Sequence, residues 1–368
     1  MEGTHQDRSV TAVFAAVHFL VDLACIFLLT AFLLRMVENR AVWMACVLVY
    51  NFCAFACQLP VGALGDKRGN PFSLAAAGCL LIAIAYGMTS FGTGFLPEKL
   101  LRRVWPLFIC TAAGLGNSCF HVGGGIEVLR RSREAAALPG VFVATGAFGV
   151  WLGPVLARKE LARNLGIFAG SLIMASCAVL LMCLRRRASG DTLERKPEAG
   201  DILGAAALCL IVTVLIRSYA GTVMGYGWKA GMLSFLFTAG IVFGKMAGGF
   251  FGDRFGWMKT ACVSLAGAAL LFALAETSPV CGIAAVLLFN MTMPLTLSAL
   301  ALLYKDAVGL AFGMLTLALF LGTLPSMMSA AGWIPAGSFT LLPALSLLSA
   351  ALMALGLSLF SRRRGDGA

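Results

Sequence analysis

His18 and Asp22 lie four residues apart inside one long apolar run, and Asn117 and His121 repeat that spacing inside another. Side chains four apart on a helix share a face, one turn above the other. An imidazole beside a carboxylate on such a face suits two roles. The pair can take up and release a proton, because imidazoles titrate near neutral pH and burial strengthens a carboxylate's hold on its proton. Alternatively, it can hydrogen-bond to neighbouring helices and only hold them together. Arg217 lies deep within a third apolar run, on a helical face with Thr213, Gly221 and Met224. It suits an anionic ligand, a pairing with Asp22 from another helix, or a snorkelling cation. Lys245, about two turns before a charged break, reads as snorkelling, and Glu127 reads as interfacial.

These residues must be positioned by elements that live in lipid. The chain has 368 residues, of which 60% are hydrophobic and only 12% charged, too little polar surface to cover a soluble globule of that size. A charge near the bilayer centre costs roughly 2.5–3.5 kcal/mol on insertion scales, so such residues face a bundle interior or a water-filled cavity. With roughly 20 apolar residues per spanning helix, the sequence divides into spans at 10–34, 41–65, 71–90, 104–129, 136–157, 164–184, 202–226, 230–252, 258–277, 279–304, 309–331 and 338–360. Unbroken runs such as Ala261–Ala275 favour helices over the alternating segments of a closed barrel. Trp43, Trp105, Trp228, Trp257 and Trp333 fall at span ends, where indoles prefer the headgroup region. The expected fold is an all-α membrane protein of about 12 transmembrane helices in two six-helix halves. Residues 1–184 form the N-terminal half, 185–201 a polar cytoplasmic linker, and 202–368 the C-terminal half.

The net charge of +11 has an explanation other than nucleic acid. With the amino terminus inside, 17 of the 28 lysines and arginines fall on cytoplasmic segments and 9 on external loops, while Arg217 and Lys245 lie within spans. That bias places both termini in the cytoplasm of a cell membrane protein. The first span carries His18 and Asp22, unlike the purely apolar core of a cleaved signal peptide, so it is expected to be retained. The 12 cysteines are scattered through apolar stretches without metal-ligand spacing, and no metal or cofactor is expected. No nucleotide loop or hydrolase motif occurs; the run Gly123-Gly124-Gly125 lies inside a span. Neither an ATP-driven pump nor an enzyme is expected. Asn290 with Pro294 and Gly322 with Pro325 are candidate kinks.

One element recurs. Gly62, Gly65, Asp66, Lys67 and Gly69 follow the second span, and Gly249, Gly252, Asp253, Arg254 and Gly256 follow the eighth, at a constant shift of 187 residues. Glycines at these places let helices approach closely and allow a left-handed turn, the aspartate can meet the positive end of a neighbouring helix, and the base can anchor at the inner surface. Repetition at matching ends of two halves is expected of carriers built from internal repeats.

This repeated element resembles the signature of the major facilitator superfamily, which implies a gate-region brace and not a substrate site. Within that superfamily the chain is most similar to fosmidomycin-resistance-type exporters. The resemblance rests on His18 to Asp22 in the first span, on Gly114, Gly116, Phe120 and His121 in the fourth, and on Gly146 to Gly153-Pro154 in the fifth. Where that group often continues with proline after the histidine, this chain has Val122-Gly123-Gly124-Gly125, and Arg217 has no counterpart in its pattern.

The expectation is a secondary active transporter that works by alternating access. It would export a small drug-like or anionic compound coupled to protons, a direction implied by the resemblance alone, and a single chain would suffice. Proton coupling or the substrate pathway falls to His18, Asp22, Asn117, His121 and Arg217. Uptake of a small organic anion by the same fold is an alternative; a membrane-embedded enzyme using His18, Asp22 and His121 is another, of a different class.

Overall fold

The computed structural model describes residues 2–68, 70–91, 97, 103–187 and 204–365. Gly69 and most of the 185–201 linker lie outside the described residues; Arg185, Arg186 and Arg187 continue the helix before it. The described residues form twelve helical rods in succession: α1 (Glu2–Met36), α2 (Arg40–Lys67), α3 (Pro71–Phe91), α4 (Trp105–Arg131), α5 (Ala137–Ala157), α6 (Glu160–Arg187), α7 (Ala205–Val223), α8 (Gly231–Phe255), α9 (Trp257–Phe272), α10 (Pro279–Leu303), α11 (Val308–Ala330) and α12 (Leu342–Gly365). Among the described residues, ten are long and apolar enough to cross a membrane. The other two are α4, diluted by its glycines and polar residues, and the 16-residue α9.

The rods match the spans read from the sequence, with shifts at their ends. α1 starts at Glu2 because a helix satisfies its own backbone whether or not its side chains are apolar, and α9 stops at Phe272, short of the expected 277. Two rods are irregular. α2 contains a π turn over Phe52–Ala56, and the hydrogen-bond ladder of α10 is interrupted at Met291, where Pro294 cannot donate a backbone hydrogen bond to the preceding turn. α11 runs unbroken through Gly322 and Pro325.

The pairing of rods repeats between halves. In the first half α1 packs on α5, α3 on α6, and α4 on α2 and α3; in the second, α7 packs on α11, α9 on α12, and α10 on α8 and α9. The halves meet through α5 against α8 and α2 against α11, which are the same contact under a shift of six helices. At the end that bears the signature turns this meeting is backbone to backbone. Gly62 faces Gly309 so closely that a Cβ on either would enter the other's main chain, and a Cβ on Gly249 would meet Ala136 and Ala137. Towards the opposite end the contacts are made by side chains: Phe52 against Phe320, Phe148 against Phe235, and Trp151 donating to Ser234 Oγ at 3.3 Å.

The signature aspartates tie the halves together. Asp66, at the end of α2, accepts from the Gly309 and Leu310 amides at 2.8 Å each, and so caps the first turn of α11. Asp253, at the end of α8, accepts from the Ala136 and Ala137 amides at 2.8 and 2.9 Å, and caps α5. Each satisfies amides that have no partner within their own helix, and each sets a carboxylate at a positive dipole end. Gly256 closes α8 with φ +93, the left-handed turn its place in the motif calls for. Lys67 and Arg254 are exposed.

Candidate functional site

α1, α4 and α5 bring the predicted polar residues of the first half to one point. His18 Nε2 stands 3.2 Å from Asp22 Oδ2, His121 Nε2 stands 3.6 Å from Asp22 Oδ1, and Asn117 Nδ2 donates to Asp22 Oδ1 at 3.1 Å. The two imidazoles meet directly, Nε2 to Nε2, at 2.8 Å. His18 is 5% exposed and His121 9%. The carboxylate, at 15%, is the most open of the three side chains and gives the site its access.

The outer nitrogens decide what lies between the inner ones. His18 Nδ1 meets the Phe142 carbonyl of α5 at 2.6 Å, and His121 Nδ1 meets the Asn117 carbonyl at 2.9 Å. A carbonyl can only accept, so both Nδ1 atoms carry hydrogen. With that settled, neutral rings would point two lone pairs at each other across 2.8 Å. One additional proton turns the repulsion into an N–H···N hydrogen bond, and the Asp22 carboxylate beside it balances the charge. The cluster thus forms a cradle that can hold one proton between the two rings.

His18, Asp22 and His121 also offer donor atoms within 4.8 Å of one another, a set of the kind that binds transition metals. Two nitrogens held about 2.0–2.1 Å from one tetrahedral ion would stand roughly 3.3 Å apart. The observed 2.8 Å fits a shared proton better.

The floor of the cradle is Gly146 of α5. A Cβ there would collide with Asp22 Oδ2 and His18 Nε2, and at Gly149 one would meet the Leu23 amide and Asp22 Cβ. The glycine-rich fifth helix therefore exists to let α1 lie on it at this point. Gly146 and the Phe142 carbonyl belong to the site although the sequence singled out neither for it. The run of glycines carries a signal for the first, whereas a backbone carbonyl leaves none.

Arg217 lies elsewhere. It is 8% exposed, on α7, and its guanidinium donates to Thr292 Oγ1 and Thr296 Oγ1 of α10 at 3.4 Å each, just past the interruption in that helix. It does not pair with Asp22, which is fully engaged inside its own half. Lys245 of α8 does not snorkel. Its ammonium turns inward and donates to the Val143 carbonyl of α5, across the boundary between halves, at 3.0 Å. Glu127, one turn from the end of α4, is 5% exposed and accepts from Arg131 Nε at 2.6 Å, while Arg131 also reaches Asp7 at 3.0 Å. Burying the α1–α4 junction at the signature end required a balanced acid there, which hydropathy along one helix does not reveal.

These features define a polytopic helical membrane protein of two pseudo-equivalent six-helix halves, with a polar site in each half and paired braces at one end. No protein family model and no curated protein matches the sequence. Solved structures match by fold. A bacterial homologue of the iron transporter ferroportin, outward-facing with soaked iron, aligns at TM-score 0.68 and 16% identity over 97% of this chain and 98% of its own. The human organic anion transporter MFSD10 aligns at 0.66 and 16% over 94% and 99%, and the E. coli fucose:proton symporter at 0.65 and 14% over 96% and 98%. The architecture is therefore the major facilitator fold.

Proposed function

We propose that this chain is a proton-coupled secondary transporter that moves a small molecule by alternating access, with His18, Asp22 and His121 as the proton site. The observation that carries the reading is the pair of imidazoles whose outer nitrogens are both committed to backbone carbonyls, so that the inner pair is complete only with a bound proton. Asn117 orients the carboxylate that balances it. The fold supports transport as the use of that proton, because the solved structures that share it include transporters, one of them a proton symporter. Asp66 and Asp253 serve as latches for the state in which the signature ends are together. With both termini cytoplasmic, as the charge bias supports, the latched end faces the cytoplasm. Similarity to fosmidomycin-resistance-type exporters in α1, α4 and α5 supports export.

The test begins with a thermal-stability screen of purified protein against metabolites and antimicrobials, followed by flux of a stabilising compound into proteoliposomes. Wild type should drive the compound on an imposed pH gradient. Asp22→Asn should lose at least about tenfold of that flux, since a charged hydrogen-bond partner is worth about 1.5–3 kcal/mol, while passive exchange of the compound persists. Undiminished gradient-driven flux in the variant would remove Asp22 from the coupling role. Comparing inverted with right-side-out vesicles separates export from uptake.

A further inference from the structure

We propose that Arg217 and Lys245 together form a two-cation site for a small organic dianion at the boundary between the halves. The inference names the substrate class for the transport reading above and rests on that reading for the fate of the anion.

The argument starts from charge balance. Asp22 balances the proton between His18 and His121, and Glu127 and Asp7 balance Arg131. Arg217 and Lys245 have no such partner: among the described residues, neither has a carboxylate within ion-pair distance. Arg217 rests on two threonine hydroxyls at the long separation of 3.4 Å, and Lys245 on one carbonyl. Neutral acceptors offset only part of the cost of withdrawing a cation from water. Two buried cations held only by neutral acceptors attract negative charge strongly.

Lys245 stands at the level of the α10 segment that holds Arg217: a Cβ on Gly140 of α5 would meet both the Lys245 carbonyl and Pro294 Cβ, and one on Gly248, a turn beyond Lys245, would enter the Met291 carbonyl. The two cations come from α7 and α8 of one half, but Lys245 reaches across to α5 of the other. The carbonyl it holds, Val143, follows directly on Phe142, whose carbonyl holds His18. A dianion that draws Lys245 off Val143 thus removes a contact between halves one residue away from the anchor of the proton site. Arg217 supplies the planar fork suited to a carboxylate, and Lys245 a movable point charge. Thr292 and Thr296 already donate their own hydroxyl hydrogens to carbonyls of α10, so their lone pairs serve to hold the guanidinium in place until a ligand takes it.

The experiment uses the intact purified chain in nanodiscs and matched probes: succinate against butyrate, glutarate against valerate, and choline as the cationic control. Thermal shift and titration calorimetry read binding. Dicarboxylates should bind wild type at least about tenfold more tightly than the matched monocarboxylates, the increment that a second charged hydrogen bond supplies, and choline should not bind. Lys245→Gln should abolish that preference while leaving monocarboxylate binding near its wild-type value, and Lys245→Arg should restore part of it. Arg217→Gln should lose both anions. If that variant does not fold, the Lys245 pair decides alone. Equal binding of mono- and dicarboxylates, a preference unchanged in Lys245→Gln, or no binding of any dicarboxylate would each overturn the proposal. Asp22→Asn should keep the preference, so failure of the dianion site leaves gradient-driven flux of another compound as separate evidence on proton coupling.

Discussion

The polar centres of the two halves solve the same problem in opposite ways. In the first half, buried charge is balanced on the spot: His18, His121, Asn117 and Asp22 bond to one another and to two backbone carbonyls. In the second, Arg217 leans on two hydroxyls of α10 and, among the described residues, meets no acid. On the two proposals above, the cluster of the first half takes only a proton and the cation of the second takes a ligand from outside the chain. The pseudo-symmetric halves would then have diverged in their middles, while their ends kept equivalent aspartate caps.

Several substitutions would break or sharpen that contrast. The largest effect is expected from Gly146→Val, which pushes a branched side chain into Asp22 and His18. Overpacking costs about 1–3 kcal/mol or more, so pH-dependent stabilisation and gradient-driven flux should both vanish, with the Arg217 side still binding anion. Retained proton coupling would mean that α1 and α5 are not apposed as described. Next comes His121→Gln, which keeps a hydrogen-bonding side chain but removes one of the two lone pairs that share the proton. The flux-versus-pH profile should flatten across the physiological range, and the measurement is initial rate against internal pH. An unchanged profile would place the proton elsewhere.

A smaller effect separates the braces. Asp66→Ala and Asp253→Ala each remove a helix cap, worth about 1 kcal/mol, or roughly fivefold in an equilibrium between two states. Because Asp253 is more exposed and shares its Oδ1 with the Trp257 indole at 3.3 Å, Asp66→Ala should shift the balance further from the signature-closed state. Distances between spin labels at the two signature ends, with populations compared across the variants, would report it. Equal shifts would show that burial of the cap is irrelevant to the latch. The smallest change is expected from Thr296→Val, which removes one long hydrogen bond from Arg217: anion affinity should move less than about threefold, as for a weak neutral contact. A loss above tenfold would make the hydroxyl a ligand in its own right.

Much of this arrangement is legible along the chain. Hydropathy locates every described rod to within a few residues at most ends, because the requirement to satisfy backbone groups in lipid leaves helices as the solution for runs of this length. The signature aspartates announce their role as well, since a carboxylate beside glycines at a helix end has a neighbouring amide terminus as its natural partner. His18 with Asp22, and Asn117 with His121, are each recognisable as a one-turn pair.

The meeting of those pairs is a different matter. That two imidazoles touch through Nε2 depends on how α1 packs on α5 across Gly146 and on α4 beside it, and that both rings carry hydrogen on Nδ1 depends on carbonyls of Phe142 and Asn117 that any residue would supply. Lys245 makes the same point in reverse. Its depth along one helix fits snorkelling, and only the packing of α8 on α5 turns it inward. The sequence alone determined how many helices there are, which ends carry braces and which residues are too polar to face lipid, because those follow from transfer free energies and local periodicity. The tertiary structure alone decided which of the buried charges are balanced and which are not, because balance is a property of distances between helices far apart in the chain.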